Sequence, residues 1–216
     1  MTNLQGLIFD MDGTLVDSAA DIAASVNFTL SRLGLPEKPA KEVMGYIGDG
    51  MKTLLERATG NKDEKYLAHA IEIFHPQYLD RCTVKTTLYP GVKETLEHFK
   101  RLPLGLVTNK PLAMTEKILR YFEIDKYFKT VVGGESTPKK KPDPEPVLKA
   151  LSDMAVPASS ALMVGDGLPD MEAGRRAGVK TCAVTYGYRS REDLEKLNLN
   201  YMIDHLKELK DLDLWR

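Results

Sequence analysis

The sequence predicts an α/β fold: a doubly wound parallel sheet with a small all-helical cap inserted after the first strand. Three observations predict it. Five short apolar runs each stop at a polar or glycine-bearing turn, helical periodicity separates the later runs, and the stretch 16–85 is helical throughout with no strand-like run.

Leu7-Ile8-Phe9 is the first run, ending at Asp10-Met11-Asp12-Gly13. A buried parallel strand reads this way when its carboxyl end opens on a site. Next, Ile22, Val26, Leu30 and Leu33 share one face of a helix that starts near Asp17-Ser18 and stops at Gly34. Further helices are expected over 51–58 and 65–81, so residues 16–85 form the cap and residues 1–15 and 86–216 the core. Tyr89-Pro90-Gly91 marks the return to the core.

Four more strands follow. Leu104 to Val107 leads into Thr108-Asn109-Lys110, Thr130 to Val132 into Gly133-Gly134-Glu135, Ala161 to Val164 into Gly165-Asp166, and Thr181 to Val184 into Thr185-Tyr186-Gly187. Helical patterns run over 92–102, 115–122, 147–154 and 171–177, the last closed by Gly178. In such sheets ligands bind beyond the carboxyl ends of the strands, where every one of these polar clusters lies.

Composition narrows the function. With 30 Lys+Arg against 31 Asp+Glu the net charge is −1, so no global field draws the chain to nucleic acid or to an anionic membrane. No run approaches the roughly 20 apolar residues of a membrane-spanning helix. The segment Met1 to Gly6 has no basic residue and lacks the form of a signal peptide. Cys82 and Cys182 lie far apart without metal-ligand spacing, as buried free thiols of a cytoplasmic protein do.

Asp10 and Asp12 repel each other unless a cation or proton is shared, and Mg²⁺, which prefers hard oxygen ligands, resolves this. Asp166 and Asp170 bring further carboxylates from another strand end. Lys141 is the cationic counterpart, held on a stiff loop by Pro142-Asp143-Pro144. Thr108 and Asn109 add neutral donors, completing a set suited to a phosphate dianion.

The segments Asp10-Met11-Asp12-Gly13-Thr14-Leu15-Val16-Asp17-Ser18, Thr108-Asn109-Lys110, Lys141-Pro142-Asp143-Pro144 and Gly165-Asp166-Gly167-Leu168-Pro169-Asp170 resemble, in order and spacing, the four motifs of the haloacid dehalogenase superfamily. The resemblance spans essentially the whole chain and implies a Rossmann-type core. Within the superfamily the chain is most similar to phosphoglycolate phosphatases, through Asp-Gly-Thr-Leu-Val-Asp-Ser and the cap segment 45–50. The resemblance implies a Mg²⁺-dependent phosphatase of a small phosphorylated metabolite. In it Asp10 attacks phosphorus and Asp12 protonates the leaving group, then activates water. It further implies Mg²⁺ on Asp10, the Asp12 main-chain carbonyl and Asp166, and phosphoryl oxygens on Thr108, Asn109 and Lys141. Asp170 would act through water or Lys141. Gly167 departs from the pattern, since relatives often place Ser or Thr there.

Gly48 and Tyr46 of the cap loop are candidates for facing substrate, with Lys52 and Arg57 behind them. Lys110 is left open, since it also reads as a solvent-facing residue before a helix. Lys139 and Lys140 read as solvated, and His69, His75, His98 and His205 as structural. A phosphosugar mutase would use the same Asp10 and Asp12, but Thr14 leans against it. Dehalogenases and phosphonate hydrolases lack the second Asp. A phosphorylatable receiver module has no helical insertion after its first strand.

Overall fold

The computed structural model describes residues 4–214, so the reading of a leaderless N-terminus falls partly outside it, at Met1 to Asn3. Six parallel strands form the central sheet: β1 (Gly6–Phe9), β4 (Leu104–Val107), β5 (Phe128–Val132), β6 (Ala161–Gly165), β7 (Lys180–Val184) and β8 (Tyr201–Ile203), in the order β5-β4-β1-β6-β7-β8. β1 lies between β4 and β6, with Phe9 in register with Leu106 and Val164. The chain builds outward from β1 through β4 to β5, then returns to β6 and builds the other way. The carboxyl ends of β1 and β6 therefore flank the topological switch point, where open sheets of this kind bind ligands.

Alternation along the strands supplies both faces. Ile8, Val107 and Met163 point to one layer, packed by α7 (Glu145–Met154) and α8 (Leu168–Ala177) through Val147, Leu151 and Ala173. Leu7, Phe9, Leu104 and Leu106 point to the other, covered by α5 (Val92–Phe99), α6 (Leu112–Tyr121) and a 3₁₀ turn at Leu206–Asp211. Because β1 is buried on both sides, it reads as an uninterrupted apolar run rather than an alternating one.

Four helices fill the insertion: α1 (Ala19–Arg32), α2 (Ala40–Met44), α3 (Met51–Thr59) and α4 (Glu64–Arg81). Ile22, Val26 and Leu30 of α1 pack with Leu55, Leu67 and Phe74, and each contributes roughly 1.5–3 kcal/mol by leaving water. Pro76 sits inside α4 without ending it. Among the described residues no helix is long and apolar enough to cross a membrane.

The structure departs from expectation at short elements. Val16–Asp17 (β2) is a strand inside the stretch read as purely helical, and it pairs antiparallel with Thr87–Leu88 (β3). This ribbon joins the chain's exit from the core to its return. Two-residue strands, the five-residue α2 and the three-residue β8 are too short to display a period, as is α9 (Arg191–Glu195).

Candidate active site

Asp10 follows β1 directly, its N–H donating to Val164 O of β6 at 2.9 Å. The sheet thereby sets the first carboxylate at the switch point. Lys141, on the loop between β5 and α7 and 4% exposed, reaches it from across the sheet end. Its Nζ donates to Asp10 Oδ1 at 2.7 Å, Asp170 Oδ1 at 2.6 Å and Val107 O at 2.6 Å, which uses all three ammonium protons. Burial alone would lower this lysine's pKa, but Asp10 and Asp170 outweigh it and hold the ammonium above its ordinary range.

Asp166 follows β6, and its Oδ2 accepts from Tyr188 N–H at 2.7 Å. Asp170 sits in the first turn of α8, where its Oδ2 accepts from Gly167 N–H at 3.1 Å. Gly167 thus contributes a backbone donor and no side-chain hydroxyl. Asp10, Asp166 and Asp170 offer carboxylate oxygens within 4.8 Å of one another, all buried. Burial, then Asp170, push Asp10 up to about 7 against the pull of Lys141. Burial, Asp170 and Asp10 likewise push Asp166 well above the usual carboxylate range.

Three buried carboxylates against one ammonium leave an excess of negative charge that a divalent cation would neutralise. The surrounding backbone is built close to that centre. A Cβ on Gly13 would lie 2.2 Å from Asp166 Oδ2, and one on Gly187 2.3 Å from Asp166 Cβ. Gly13 also has φ +83°, where a side chain is strained. The donor set and the tight cradle fit Mg²⁺.

Asp12 is directed elsewhere. Lys110 Nζ donates to both its oxygens at 2.8 Å, and Ser18 Oγ donates to Oδ1 at 2.5 Å. Its carboxylate is therefore outside the acidic group, which leaves only its main-chain carbonyl for the metal role expected of it. Ser18 is the N-terminal cap residue of α1, yet its hydroxyl serves Asp12 rather than the helix. The solvent-facing alternative for Lys110 is overturned: it is 6% exposed and also donates to Tyr78 Oη of α4 at 2.6 Å.

Asn109 differs from expectation as well. Its Nδ2 donates to Gly48 O and Lys141 O, both at 2.9 Å, while Oδ1 accepts from Lys141 N–H at 3.0 Å. The side chain is spent on joining the Lys141 loop to the cap loop, and only its backbone remains for a phosphoryl oxygen. Thr108 is buried at the end of β4, with Oγ1 accepting from Lys110 N–H at 3.2 Å. Gly48 lines the cleft. Tyr46 is not brought to it, because its hydroxyl donates to Glu42 at 2.5 Å on the outer side of the cap. Lys52 and Arg57 pair with Glu64 and Asp49.

The cleft has two lobes meeting at Asp10, Asp12 and Gly48. One, about 280 Å³, is bounded by Asp166, Asp170, Tyr188 and Arg189. The other, about 480 Å³, runs under the cap between Thr108 and Lys110 on one side and Ile22, Met51, Leu54, Phe74 and Met114 on the other. Arg189 closes the first lobe by donating to Gly45 O at 3.2 Å and Ile47 O at 2.7 Å. Tyr78, Tyr188 and Arg189 are residues that the sequence alone does not single out, and Lys110 is one that it leaves open. Only Lys110 carried a signal, its place directly after Thr108-Asn109.

Over residues 7–184 the sequence matches the family described as haloacid dehalogenase-like hydrolase. The phosphoglycolate phosphatase of Psychrobacter arcticus is 37% identical in an alignment, gaps included, of 217 positions that covers 96% of this chain and 94% of that protein. The phosphoglycolate phosphatase of Aquifex aeolicus is 41% identical over 184 residues, 84% of this chain and 85% of that one. A crystal structure described as a predicted phosphoglycolate phosphatase from Haemophilus somnus superposes with a TM-score of 0.91 at 32% identity, covering 98% of each chain.

Proposed function

This chain belongs to the haloacid dehalogenase-like hydrolases, and from that premise we propose that it is a Mg²⁺-dependent phosphatase of small phosphate monoesters, with phosphoglycolate the leading substrate. One observation carries the reading: a strand-end carboxylate, Asp10, gripped by Lys141 beside two further buried carboxylates. The names of the relatives at 37% and 41% identity support the choice of substrate. Two buried free thiols accord with a cytoplasmic setting.

In the proposed reaction an Asp10 oxygen attacks phosphorus, forming an Asp10–phosphoryl bond as the bond to the leaving oxygen breaks. Asp12 gives that oxygen its proton. Water then attacks the same phosphorus and yields a proton to Asp12, and the acyl-phosphate bond breaks to return the Asp10 carboxylate and free phosphate. A positioned acid contributes about 10²–10⁴-fold. Thr108 and the Asn109 backbone hold the phosphoryl oxygens, and Lys141, whose three protons go to Asp10, Asp170 and Val107 O, neutralises their charge from beside Asp10, since positioning and charge neutralisation do most of the catalysis. Asp10, Asp166 and the Asp12 carbonyl would hold Mg²⁺, which when bound draws charge from the transferring group. Asp170 acts through Lys141. Residues 16–85 serve as a cap that excludes water, on a core of 1–15 and 86–216.

The test is phosphate release from a panel of phosphoglycolate, sugar phosphates, nucleotides and pyrophosphate, with Mg²⁺, with EDTA and with Asp10→Asn. Release from at least one ester, abolished by EDTA and by the substitution, is expected. Activity that survives both would sink the mechanism.

A further inference from the structure

We propose that Lys110 and Tyr78 form a positioning pair that fixes where Asp12 presents its proton to the leaving group, so that they determine how well poor leaving groups are expelled. This rests on the reading of Asp12 as the acid, and adds to it the residues that aim it.

The two acidic side chains of the first strand end are served by different lysines. Lys141 is shared between Asp10 and Asp170, at the metal-binding side of the cleft. Lys110 serves Asp12 alone among the carboxylates, meeting both oxygens at 2.8 Å. With Ser18 Oγ on Oδ1, the carboxylate is held at three points, and a group so held has one orientation. Lys110 is buried and Asp12 largely covered, with side chains 3% and 11% exposed, so water competes little for these contacts.

The third proton of Lys110 goes to Tyr78 Oη at 2.6 Å. Tyr78 is 2% exposed and projects from α4, whereas Lys110 belongs to the loop after β4. The contact therefore spans from cap to core and sets the ammonium from two sides. Lys110 and Tyr78 also line the apolar lobe, along with Phe74 and Met114, where a leaving group would lie. Because the ammonium has no proton left over, its part is to aim Asp12 rather than to grip an anionic leaving group.

Aim matters in proportion to need. An alkoxide or phenolate that leaves poorly requires a proton in the transition state, whereas 4-nitrophenolate leaves without one. The experiment compares kcat/KM for phenyl phosphate and 4-nitrophenyl phosphate in the wild type, Lys110→Met and Tyr78→Phe. The parameter kcat/KM reports the step in which the leaving group departs. In Lys110→Met the loss on phenyl phosphate is expected to exceed the loss on 4-nitrophenyl phosphate by about tenfold or more. Tyr78→Phe shifts the ratio the same way by about threefold or more. If Lys110→Met does not fold, the ratio for Tyr78→Phe decides. Equal losses on both esters mean a merely structural role and overturn the proposal, as does an unchanged ratio in active variants. Failure of the wild type to release phosphate from any ester counts against the hydrolase reading instead.

Discussion

Asp10 and Lys141 are buried together, but their removal has opposite consequences for stability. Asp10 is destabilised as an anion by burial and by Asp170, enough to raise its pKa to about 7. Asp10→Asn keeps an oxygen for Lys141 and deletes one charge from a crowded group. In the absence of metal it should stabilise the fold by about 1–3 kcal/mol while abolishing phosphate release. Lys141→Met leaves Asp10 and Asp170 facing each other without their shared ammonium and should cost about 3–5 kcal/mol. Urea unfolding of the metal-free variants separates the two, and destabilisation by Asp10→Asn would contradict the account. At this scale Asp10, Asp12, Asp166 and Asp170 were legible because they lie just beyond apolar runs, and Lys141 because Pro142-Asp143-Pro144 holds it on a stiff loop. Lys110 was legible only as an open candidate, since its partner Tyr78 lies on a helix that no local pattern ties to it. Asn109 was legible as a site residue but not in its task, which depends on two loops meeting.

The loop after β7 does for the site what no single residue does. Gly187 lets it pass against Asp166 and Gly13, where a Cβ would stand 2.5 Å from Gly13 O. The passage places Tyr188 N–H on Asp166, Tyr188 Oη beside Ser18 N–H at 2.8 Å, and the Arg189 guanidinium on two cap carbonyls. Gly187→Ala should push the loop outward and loosen Asp166, much as losing an outer support of a metal ligand weakens binding about 10–100-fold. The Mg²⁺ concentration giving half-maximal activity is then expected to rise by about tenfold or more, and an unchanged value would show that the loop does not support the metal ligand. The strand β7 and the turn at Thr185 to Gly187 are visible in the sequence, but the contacts of the loop are not. Apart from Asp166, its partners come from the first strand end and the cap, more than 100 residues away in sequence. The long helices and core strands were readable because period and burial coincide over several residues; β2, β3 and β8 were not, because pairing rather than pattern defines them.

Over the whole molecule, the acidic cluster makes folding, proton binding and metal binding one linked equilibrium. Asp10 has its folded pKa raised from 3.8 to about 7, and Asp166 is raised as well. The metal-free fold therefore holds protons more tightly than the unfolded chain. The stability this contributes is present in full below about pH 4 and is lost as pH rises through about 7. A divalent cation binds the ionised carboxylates and competes with those protons, so it restores most where the protons have gone. Saturating Mg²⁺ should then raise the melting temperature little near pH 5 and progressively more towards pH 8. The metal-free protein alone should melt at falling temperature over that interval, beyond the change shown by Asp10→Asn. Thermal melts with Mg²⁺ and with EDTA across this range measure both slopes. A Mg²⁺-induced shift that is the same at every pH would mean that the cation binds away from Asp10 and Asp166, whatever the enzyme's activity.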